Sequence, residues 1–563
     1  MTPHPHAVRG PAALVFAILS GCSSTAPPPV RLDPQVHIPE RSVLLISVDG
    51  LCVRKLDEYL AAGDLPNIQK VFAEGGVRVR AAVATQPTIT YANFTTILTG
   101  RAPGSHGILG NKWFDRFALF YRDYTTTATY RFVDDEFAAP TVYERLANAT
   151  SASVQSAVRR GATRIIDNWA TSGVRWYFGY LEDIDWLEIS RLEEIARDAN
   201  RRHRWPSFIH LYLPAVDEIG HRHGCDSAEY RHSVMNVDAQ IGRLHAALSR
   251  AGLLDRTYLV LTSDHGHIPV PPENFLNVAD WLRQTCHWTV IAAPPGGPAK
   301  ALSWPQRRQA FAAADAVVTV NGDRVAAIHV RGPHDWCETA DPQRLALLLG
   351  HVPGADHGSA FDTQHSARWL WDDPAVALVA APAADRDMVE LISRSGRSRI
   401  DRRRVGNAVE YRYDPMEADA LGDWSREIPG DAQRFLSAWH DEADWLRATA
   451  GTQYPDVIVQ LAKLFDSARA GDVVLFAALD WDFAAGNAGS HGSIFRDEAL
   501  VPMFFAGPDL PHGGLIDTAR LTDVTPTMLG LLSIAPQGNG RTYDGHDLTP
   551  ALRAAEVPTI LHP

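Results

Sequence analysis

The chain has 563 residues, 45% of them apolar, and a formal net charge of −13. This length and composition permit a large buried core and more than one domain. The acidic balance argues against recognition of a nucleic-acid backbone, so no binding to nucleic-acid polymers is expected, and the absence of any run of eighteen apolar residues excludes a predicted transmembrane helix.

The amino terminus is predicted to be a lipoprotein signal peptide over residues 1–22. An apolar stretch at 11–21 follows a segment whose basic residue is Arg9. Leu19-Ser20-Gly21-Cys22 resembles a bacterial lipobox, so that the chain would be cleaved and lipidated at Cys22. The Pro-rich residues 23–40 are expected to form a tether. We therefore predict an exported, periplasmic or cell-envelope lipoprotein of a bacterium, anchored to the membrane through Cys22; a simple signal peptide or a disordered tail is the alternative.

Strands and helices are predicted to alternate along much of the remaining chain. Strands are predicted at 43–48, 77–85, 208–213, 257–262, 472–478 and 501–506, and helices at 65–76, 91–99, 227–251 and 523–532. Short apolar runs that end in a carboxylate are typical of buried parallel strands. We therefore expect an α/β fold with a mostly parallel central sheet flanked by helices.

The alternating pattern breaks down between about 270 and 454, where Pro, Gly, Arg and Trp are frequent. We interpret this region as an insertion that forms a cap domain. The predicted organisation is a first part of the catalytic core at 41–270, the insertion at 271–454, and a second part of the core at 455–556.

Export would permit disulfides among four cysteines. Four cysteines allow three full pairings, and the sequence does not choose among them or exclude free buried thiols. These residues are Cys52, Cys225, Cys286 and Cys337.

Asp and His residues follow several of the predicted strands. Asp49 ends the first run, Asp217 and His221 follow the strand at 208–213, and Asp264 and His265 follow the strand at 257–262. Open α/β sheets place their chemistry beyond the carboxyl ends of the strands. Carboxylates and imidazoles at such an edge indicate a metal site, to which the downstream His491 is a further candidate.

Thr90 lies at the start of the predicted helix at 91–99, and Asn93 follows three residues later. Amides at the start of a helix bind phosphate oxygens, and an Asn side chain adds a donor. A Thr hydroxyl is a poor nucleophile unless a metal lowers its pKa. This arrangement suits phosphoryl transfer; the alternative is that Thr90 only caps the helix.

Taken in order, these motifs resemble the alkaline phosphatase superfamily, in its type I phosphodiesterase / nucleotide pyrophosphatase family. The resemblance covers about residues 43–270 and 455–550 and leaves the insertion unaccounted for. The matching pieces are Asp49-Gly50, Pro87-Thr88-Ile89-Thr90-Tyr91-Ala92-Asn93, Leu98-Thr99-Gly100, Ser105-His106-Gly107-Ile108, Asp217 with Gly220-His221, Ser263-Asp264-His265-Gly266 and Gly489-Ser490-His491-Gly492.

The resemblance implies an alkaline-phosphatase-like core and two Zn²⁺ ions per chain. One ion would be held by Asp217, His221 and His491, and the other by Asp49, Asp264, His265 and the Thr90 oxygen. Thr90 would attack phosphorus to form a phosphothreonine, while Asn93 and the Thr90 amide would bind a non-bridging oxygen. The expected activity is hydrolysis of a small phosphate ester, nucleotide-like or another diester.

The chain departs from the family pattern at two places that do not alter a predicted ligand. Many members have Phe-Pro-Asn-His where this chain has Tyr91-Ala92-Asn93-Phe94, so Tyr91 keeps an aromatic ring beside the nucleophile and is a candidate substrate contact. His267 occupies a position where Met is common.

Arg159 and Arg160 are further candidate substrate-binding residues, because a guanidinium group pairs well with a terminal phosphate. Such pairing would favour a phosphomonoesterase, and a related sulfohydrolase or phosphonohydrolase is a second alternative within the superfamily; the two arginines would otherwise belong to a solvated loop. A catalytically inactive binding lipoprotein is the alternative from a different class.

Overall fold

The computed structural model describes residues 40–558, apart from 147–148, 167–174, 176–178, 203, 298–299, 354–368, 407, 417 and 536–542. Cys22, the predicted signal peptide and all but the last residue of the predicted tether lie outside the described residues. Within the described part, no helix is both long enough and apolar enough to cross a membrane.

A mostly parallel sheet of nine strands forms the centre of the fold, which confirms the predicted α/β class. Its strands, in spatial order, are Leu500–Val501, Gly76–Val83, Met503–Ala506, Thr257–Thr262, Ser42–Val48, Phe208–Leu213, Ser151–Val154 and Arg164–Ile166, with Gly514–Arg520 paired beside Gly76–Val83. All seven residues of Ser42–Val48 are buried, because the strand lies in the middle of the sheet and is covered on both faces.

Helices cover the two faces of this sheet. Leu44, Ile46 and Val48 point to one face, and Val43 and Leu45 point to the other, as the period of two in a strand requires. The first face packs against Val53–Ala62, Leu181–Arg202 and Ala228–Arg250, and the second packs against Thr90–Thr99 and Val524–Leu531.

The register of the three central strands determines where the carboxylates lie. Val48 pairs with Leu213, and Ser47 pairs with Thr262, in two parallel ladders. The three strands therefore end side by side, and the residues that follow them emerge at one edge of the sheet.

A second sheet of nine strands is mainly antiparallel. Its strands, in spatial order, are Val290–Ile291, Ala316–Asn321, Val325–Val330, Val473–Ala477, Val376–Pro382, Met388–Ile392, Arg397–Val405, Ala408–Pro415 and His440–Asp441. The strand predicted at 472–478 thus lies in this sheet and not in the central one, so the boundary predicted at 454/455 does not separate the two sheets. An all-apolar strand suits the middle of either sheet, and its sequence does not distinguish them.

The other helices of eight residues or more are associated with the site or with the second sheet. They are Ala215–His223, Val278–Thr285, Trp304–Phe311, Pro342–Leu349, Glu442–Thr449 and Val457–Leu464. The helix predicted at 65–76 is instead one short α-helical turn, Pro66–Ile68, followed by a π-helical turn, Gln69–Ala73.

A buried arginine joins the second sheet to the central part of the molecule. Arg324, in the hairpin after Ala316–Asn321, is fully buried and its Nε lies 2.9 Å from Glu498 Oε1. The Glu498 carbonyl in turn accepts a hydrogen bond of 2.9 Å from the Gly266 amide. The region predicted to be a cap is therefore anchored beside the Asp264-His265-Gly266 segment.

Candidate metal and catalytic site

Six side chains predicted to bind metal come together at the carboxyl edge of the central sheet. Their ligand atoms fall into overlapping groups within which all atoms lie within 4.8 Å of one another. The groups, which also include His267, a residue not predicted to bind metal, are Asp49, Asp264 and His265; Asp217, His265 and His491; and Asp217, His221 and His267.

His265 lies at the centre of the first group. Its Nε2 is 3.3 Å from Asp49 Oδ1, 3.2 Å from Asp264 Oδ2 and 3.2 Å from Thr90 Oγ1. The hydroxyl of the predicted nucleophile therefore faces the same point as the ligand atoms of this group.

Asp217 belongs to both the second and the third group. Its Oδ2 is 3.4 Å from His221 Nε2, and its Oδ1 is 3.8 Å from His491 Nε2. The rings of His491 and His265 stack with their centroids 3.5 Å apart, so the two groups are adjacent.

Each of these three histidines presents the same ring nitrogen to the site. Nδ1 lies 2.9 Å from the Gly489 carbonyl oxygen in His221, 3.0 Å from that of Gly266 in His265, and 2.8 Å from that of Thr88 in His491. A backbone acceptor at Nδ1 favours the tautomer that leaves a lone pair on Nε2, as in metal-binding histidines.

The approach of Asp217 to Asp49 requires a glycine between them. Gly50 has φ +64°, and a Cβ at this position would lie 2.7 Å from Asp217 Oδ1. Both the left-handed backbone and the close contact exclude a larger residue.

The carboxylates carry buried oxygens that lack hydrogen-bond partners among the described residues: Asp49 Oδ1, Asp217 Oδ1 and Asp264 Oδ2. Burial and the charges of Asp264 and Asp217 raise the pKa of Asp49 well above its ordinary value, and burial also raises the pKa of Asp264. Clustered buried carboxylates need a positive partner. Together with imidazole nitrogens they fit divalent cations, and this set of donors is typical of zinc.

Thr90 is the first residue of helix Thr90–Thr99, which ends at Gly100 as predicted. Thr90 thus lies at the amino end of this helix, where the helix dipole favours an anion.

Asn93 cannot serve as a phosphate donor in this structure, which corrects the prediction. Its side chain is fully buried, and Oδ1 accepts hydrogen bonds from the amide (2.9 Å) and hydroxyl (2.6 Å) of Thr85. Nδ2 donates at 3.2 Å to the carbonyls of Thr85 and Pro87. Asn93 therefore holds the loop that leads to Thr90.

Asn111 lies where Asn93 was expected, and sequence reasoning missed it. Its Oδ1 accepts a hydrogen bond of 3.2 Å from the Tyr91 amide, next to Thr90, and its NH₂ group makes no hydrogen bond to a described residue. Asn111 lies 21 positions after Thr90 in the sequence, and this separation concealed the contact.

Arg160 is not available to bind a substrate phosphate. Its guanidinium group donates to Glu144 Oε1 at 2.9 Å and to the Phe137 and Ala139 carbonyls at 2.6 Å each. Arg159 is buried, with Nε 3.7 Å from Asp134 Oδ2. The segment predicted to be a substrate contact or a solvated loop is thus tied to the protein.

Tyr91 and Phe94 belong to an aromatic cluster beside the site. The Tyr91 ring lies 5.0 Å from that of Tyr124, and its hydroxyl donates to the Tyr124 carbonyl at 3.3 Å. Phe94 packs edge-on against Tyr212 with centroids 4.9 Å apart, and the Tyr212 hydroxyl donates to Asp49 Oδ2. Phe94 thus supports a residue that orients a candidate ligand.

His267, which differs from the family pattern, lies close to a candidate metal ligand, contrary to the expectation from the sequence. His267 Nε2 lies 3.7 Å from Asp217 Oδ1.

The four cysteines of the described part are all free thiols: Cys52 and Cys225 are buried, Cys286 is half-buried and Cys337 is exposed.

The fold and the Asp/His cluster at the carboxyl edge of the central sheet define an α/β protein with an alkaline-phosphatase-like core and a candidate metal site. The model of the type I phosphodiesterase / nucleotide pyrophosphatase family matches residues 43–359, more than half of the chain. The chain therefore belongs to this family.

Curated relatives match at moderate identity. An uncharacterized pyrophosphatase/phosphodiesterase of Schizosaccharomyces pombe is 26% identical over 293 residues, which are 50% of this chain and 53% of the relative. Human ectonucleotide pyrophosphatase/phosphodiesterase family member 7 is 26% identical over 274 residues, or 46% of this chain and 54% of the relative. Human family member 1 is 28% identical over 257 residues, or 45% of this chain and 26% of the relative. The chain thus spans about half, or less, of the length of these relatives.

Solved structures of murine ectonucleotide pyrophosphatase/phosphodiesterase 5 share the fold. One has a TM-score of 0.53 at 16% identity and covers 92% of this chain and 100% of that chain. Another, of an inactive form in complex with AMP, has a TM-score of 0.51 at 17% identity and covers 89% and 97% of the two chains.

Proposed function

We propose that this protein is a metal-dependent hydrolase of small phosphate diesters, of the phosphodiesterase / nucleotide pyrophosphatase type, with Thr90 as nucleophile. The observation that carries the proposal is the position of Thr90 Oγ1, which begins a helix and lies 3.2 Å from His265 Nε2. Membership of the family and the names of the relatives support a nucleotide-like diester as the substrate.

Two Zn²⁺ ions are the proposed cofactors, with Asp217, His221 and His491 as ligands of one. Asp49, Asp264, His265 and the Thr90 oxygen are the proposed ligands of the other, and the partnerless buried carboxylate oxygens support this assignment. When bound, the cations supply electrostatic stabilisation of the phosphoryl oxygens and lower the pKa of a bound hydroxyl.

The side chains around Thr90 have separate proposed roles. Thr90 Oγ1 attacks phosphorus, the bond to the leaving alcohol or nucleotide breaks, and water then hydrolyses the phosphothreonine. The Asn111 NH₂ group and the Thr90 amide donate to a non-bridging oxygen. Tyr91 forms an aromatic wall beside this position.

The contacts that Arg159 and Arg160 make within the protein favour a diester substrate over a monoester. A monoester carries one more negative charge than a diester and needs an additional cation near its terminal oxygens. Arg160 is committed to Glu144 and backbone carbonyls, and Arg159 is paired with Asp134. Turnover of bis(p-nitrophenyl) phosphate should therefore exceed that of p-nitrophenyl phosphate; a monoester rate higher by orders of magnitude would contradict the proposed substrate class.

The role of Thr90 is tested by comparing activity with metal content. Thr90→Ala should abolish turnover while leaving bound zinc near the native level, whereas Asp264→Ala should lose zinc as well. Thr125→Ala, at an exposed threonine outside the site, is a matched control that should behave as the native protein. Undiminished activity in Thr90→Ala would exclude covalent catalysis by this residue.

We also propose that the protein is exported and lipid-anchored at Cys22; the relatives described as ectonucleotide enzymes support export. Expression in bacteria should give a membrane-bound protein that incorporates radiolabelled palmitate, while Cys22→Ser should not incorporate it. Equal labelling of both proteins would exclude Cys22 as the anchor.

A further inference from the structure

His267 is a buried imidazole beside the candidate metal ligands to which the family pattern assigns no role. It is fully buried, and neither Nδ1 nor Nε2 has a hydrogen-bond partner within the described part of the chain. Buried polar groups are nearly always hydrogen bonded or bound to a metal, so two partnerless ring nitrogens require an explanation.

The ring of His267 is directed toward Asp217. Nε2 lies 3.7 Å from Asp217 Oδ1, and candidate ligand atoms of Asp217, His221 and His267 all lie within 4.8 Å of one another. The ring centroid is 4.9 Å from that of His221 and 5.9 Å from that of His491. Asp217, His221 and His267 can therefore surround one ion at ligand distances of about 2 Å, and His491 Nε2 approaches this group at 3.8 Å from Asp217 Oδ1.

Two glycines make room for the ring. A Cβ at Gly220 would lie 2.9 Å from His267 Nε2, and a Cβ at Gly489 would lie 2.9 Å from its Cε1. The ring therefore occupies a slot between helix Ala215–His223 and the segment that precedes His491, and any larger residue at either position would displace it.

The backbone at His267 is also fixed. The next two residues form the strand Ile268–Pro269, which pairs with Gly489–Ser490 immediately before His491. The Cys225 thiol donates to the His267 carbonyl at 3.3 Å. The local structure thus keeps His267 and His491 on the same side of the site.

We propose that His267 is a fourth protein ligand of the metal held by Asp217, His221 and His491, an inference that rests on the proposed two-metal function. Four protein ligands would leave substrate or water only a fifth position on that ion, whereas the centre of Asp49, Asp264 and His265 has three protein ligands besides the nucleophile. The two centres are therefore unequal, and the Asp217 centre holds its metal more tightly.

Metal binding by the full-length protein provides the test. The metal-free protein is titrated with Zn²⁺ in competition with a chromophoric chelator, together with His267→Leu, His267→Met and the control His223→Leu, which alters an exposed histidine next to the site. The native protein should show two affinities, and both His267 variants should weaken the tighter one by about tenfold or more. His223→Leu should bind as the native protein does.

A spectroscopic measurement on the native protein tests the same inference without depending on whether the variants fold. With Co²⁺ in both centres, four paramagnetically shifted imidazole N–H signals are expected, from His221, His265, His267 and His491. Three such signals, or an unchanged tighter affinity in folded His267 variants, would overturn the assignment of His267. A native protein that binds no metal at all would instead overturn the proposed function.

Discussion

The Tyr212 hydroxyl donates a hydrogen bond of 2.5 Å to Asp49 Oδ2, while Asp49 Oδ1 faces His265 Nε2 at 3.3 Å. One carboxylate oxygen is thus held by the protein and the other is directed into the site. Contacts that orient a ligand in this way are worth about 10- to 100-fold in metal affinity.

Tyr212→Phe should therefore weaken metal binding by about tenfold or more, as measured by chelator competition. Tyr258→Phe is the matched control, because its hydroxyl donates at 2.7 Å to Asp509 from near the opposite end of strand Thr257–Thr262. Equal metal affinity in the two variants would show that the Tyr212 contact does not orient Asp49 for a metal.

Asn93 and Asn111 should respond to substitution in opposite ways. Asn93→Ala leaves the amide and the carbonyl of Thr85 buried without the partner that Asn93 supplies, at about 1–3 kcal/mol for each group. Its melting temperature should fall markedly. Asn111→Ala should keep the native melting temperature but lose roughly a hundredfold in kcat, since it removes one transition-state donor. A reversal of these two results would restore Asn93 as the phosphate donor.

Arg160 should matter for stability and not for substrate choice. Its guanidinium group is hydrogen bonded to Glu144 and to the Phe137 and Ala139 carbonyls. Arg160→Met should lower the melting temperature while leaving the diester-to-monoester ratio of kcat/KM unchanged. Arg164→Met, at a half-buried arginine of the neighbouring strand, is the control. A selective loss of monoester turnover in Arg160→Met would return this residue to the substrate site.

Acid should destabilise the protein through buried neutral histidines away from the metal ligands. Burial lowers the pKa of His106 and of His210 from the ordinary 6.5 to about 3. Such a group stabilises the fold above its unfolded pKa, and the contribution is lost as the pH falls from 6.5 toward 3, by up to about 1.4 kcal/mol per pH unit for each ring. His106 Nδ1 accepts a hydrogen bond of 3.1 Å from the Ile108 amide, which protonation would break.

The free energy of unfolding, measured in urea between pH 7 and pH 4, should therefore decrease toward acid. His106→Gln should lower stability at pH 7 and flatten this decrease, whereas His223→Gln, at an exposed position, should leave the slope unchanged. The same slope in the native protein and in His106→Gln would contradict the assignment of a neutral imidazole.

The elements around the candidate ligands were predictable because local pattern determines them. Strands Phe208–Leu213 and Thr257–Thr262 have the predicted bounds, since each is a short and mainly apolar run; every residue but one is buried in the first strand, and all six are buried in the second. The gathering of Asp49, Asp217 and Asp264 follows from parallel strands that end side by side. The position of these three residues just after parallel strands is therefore enough to predict that they lie close together.

The remaining features depend on contacts between segments that are distant in sequence. Asn111 reaches the Tyr91 amide, and Asn93 turns back to Thr85, only through the three-dimensional path of the chain. Val473–Ala477 is apolar enough for either sheet, and its neighbours in the fold decide where it pairs. His267 has no local signal that distinguishes a ligand from an ordinary buried histidine.

The pairing of Ile268–Pro269 with Gly489–Ser490 joins two pieces of chain that are separated by every strand of the second sheet. A ribosome must release the chain as far as His491, beyond all strands of the second sheet, before this residue can meet Asp217. Nascent chains and proteolytic fragments that end before His491 lack a complete centre, so the proposed activity would arise only in copies that contain both halves of this pairing.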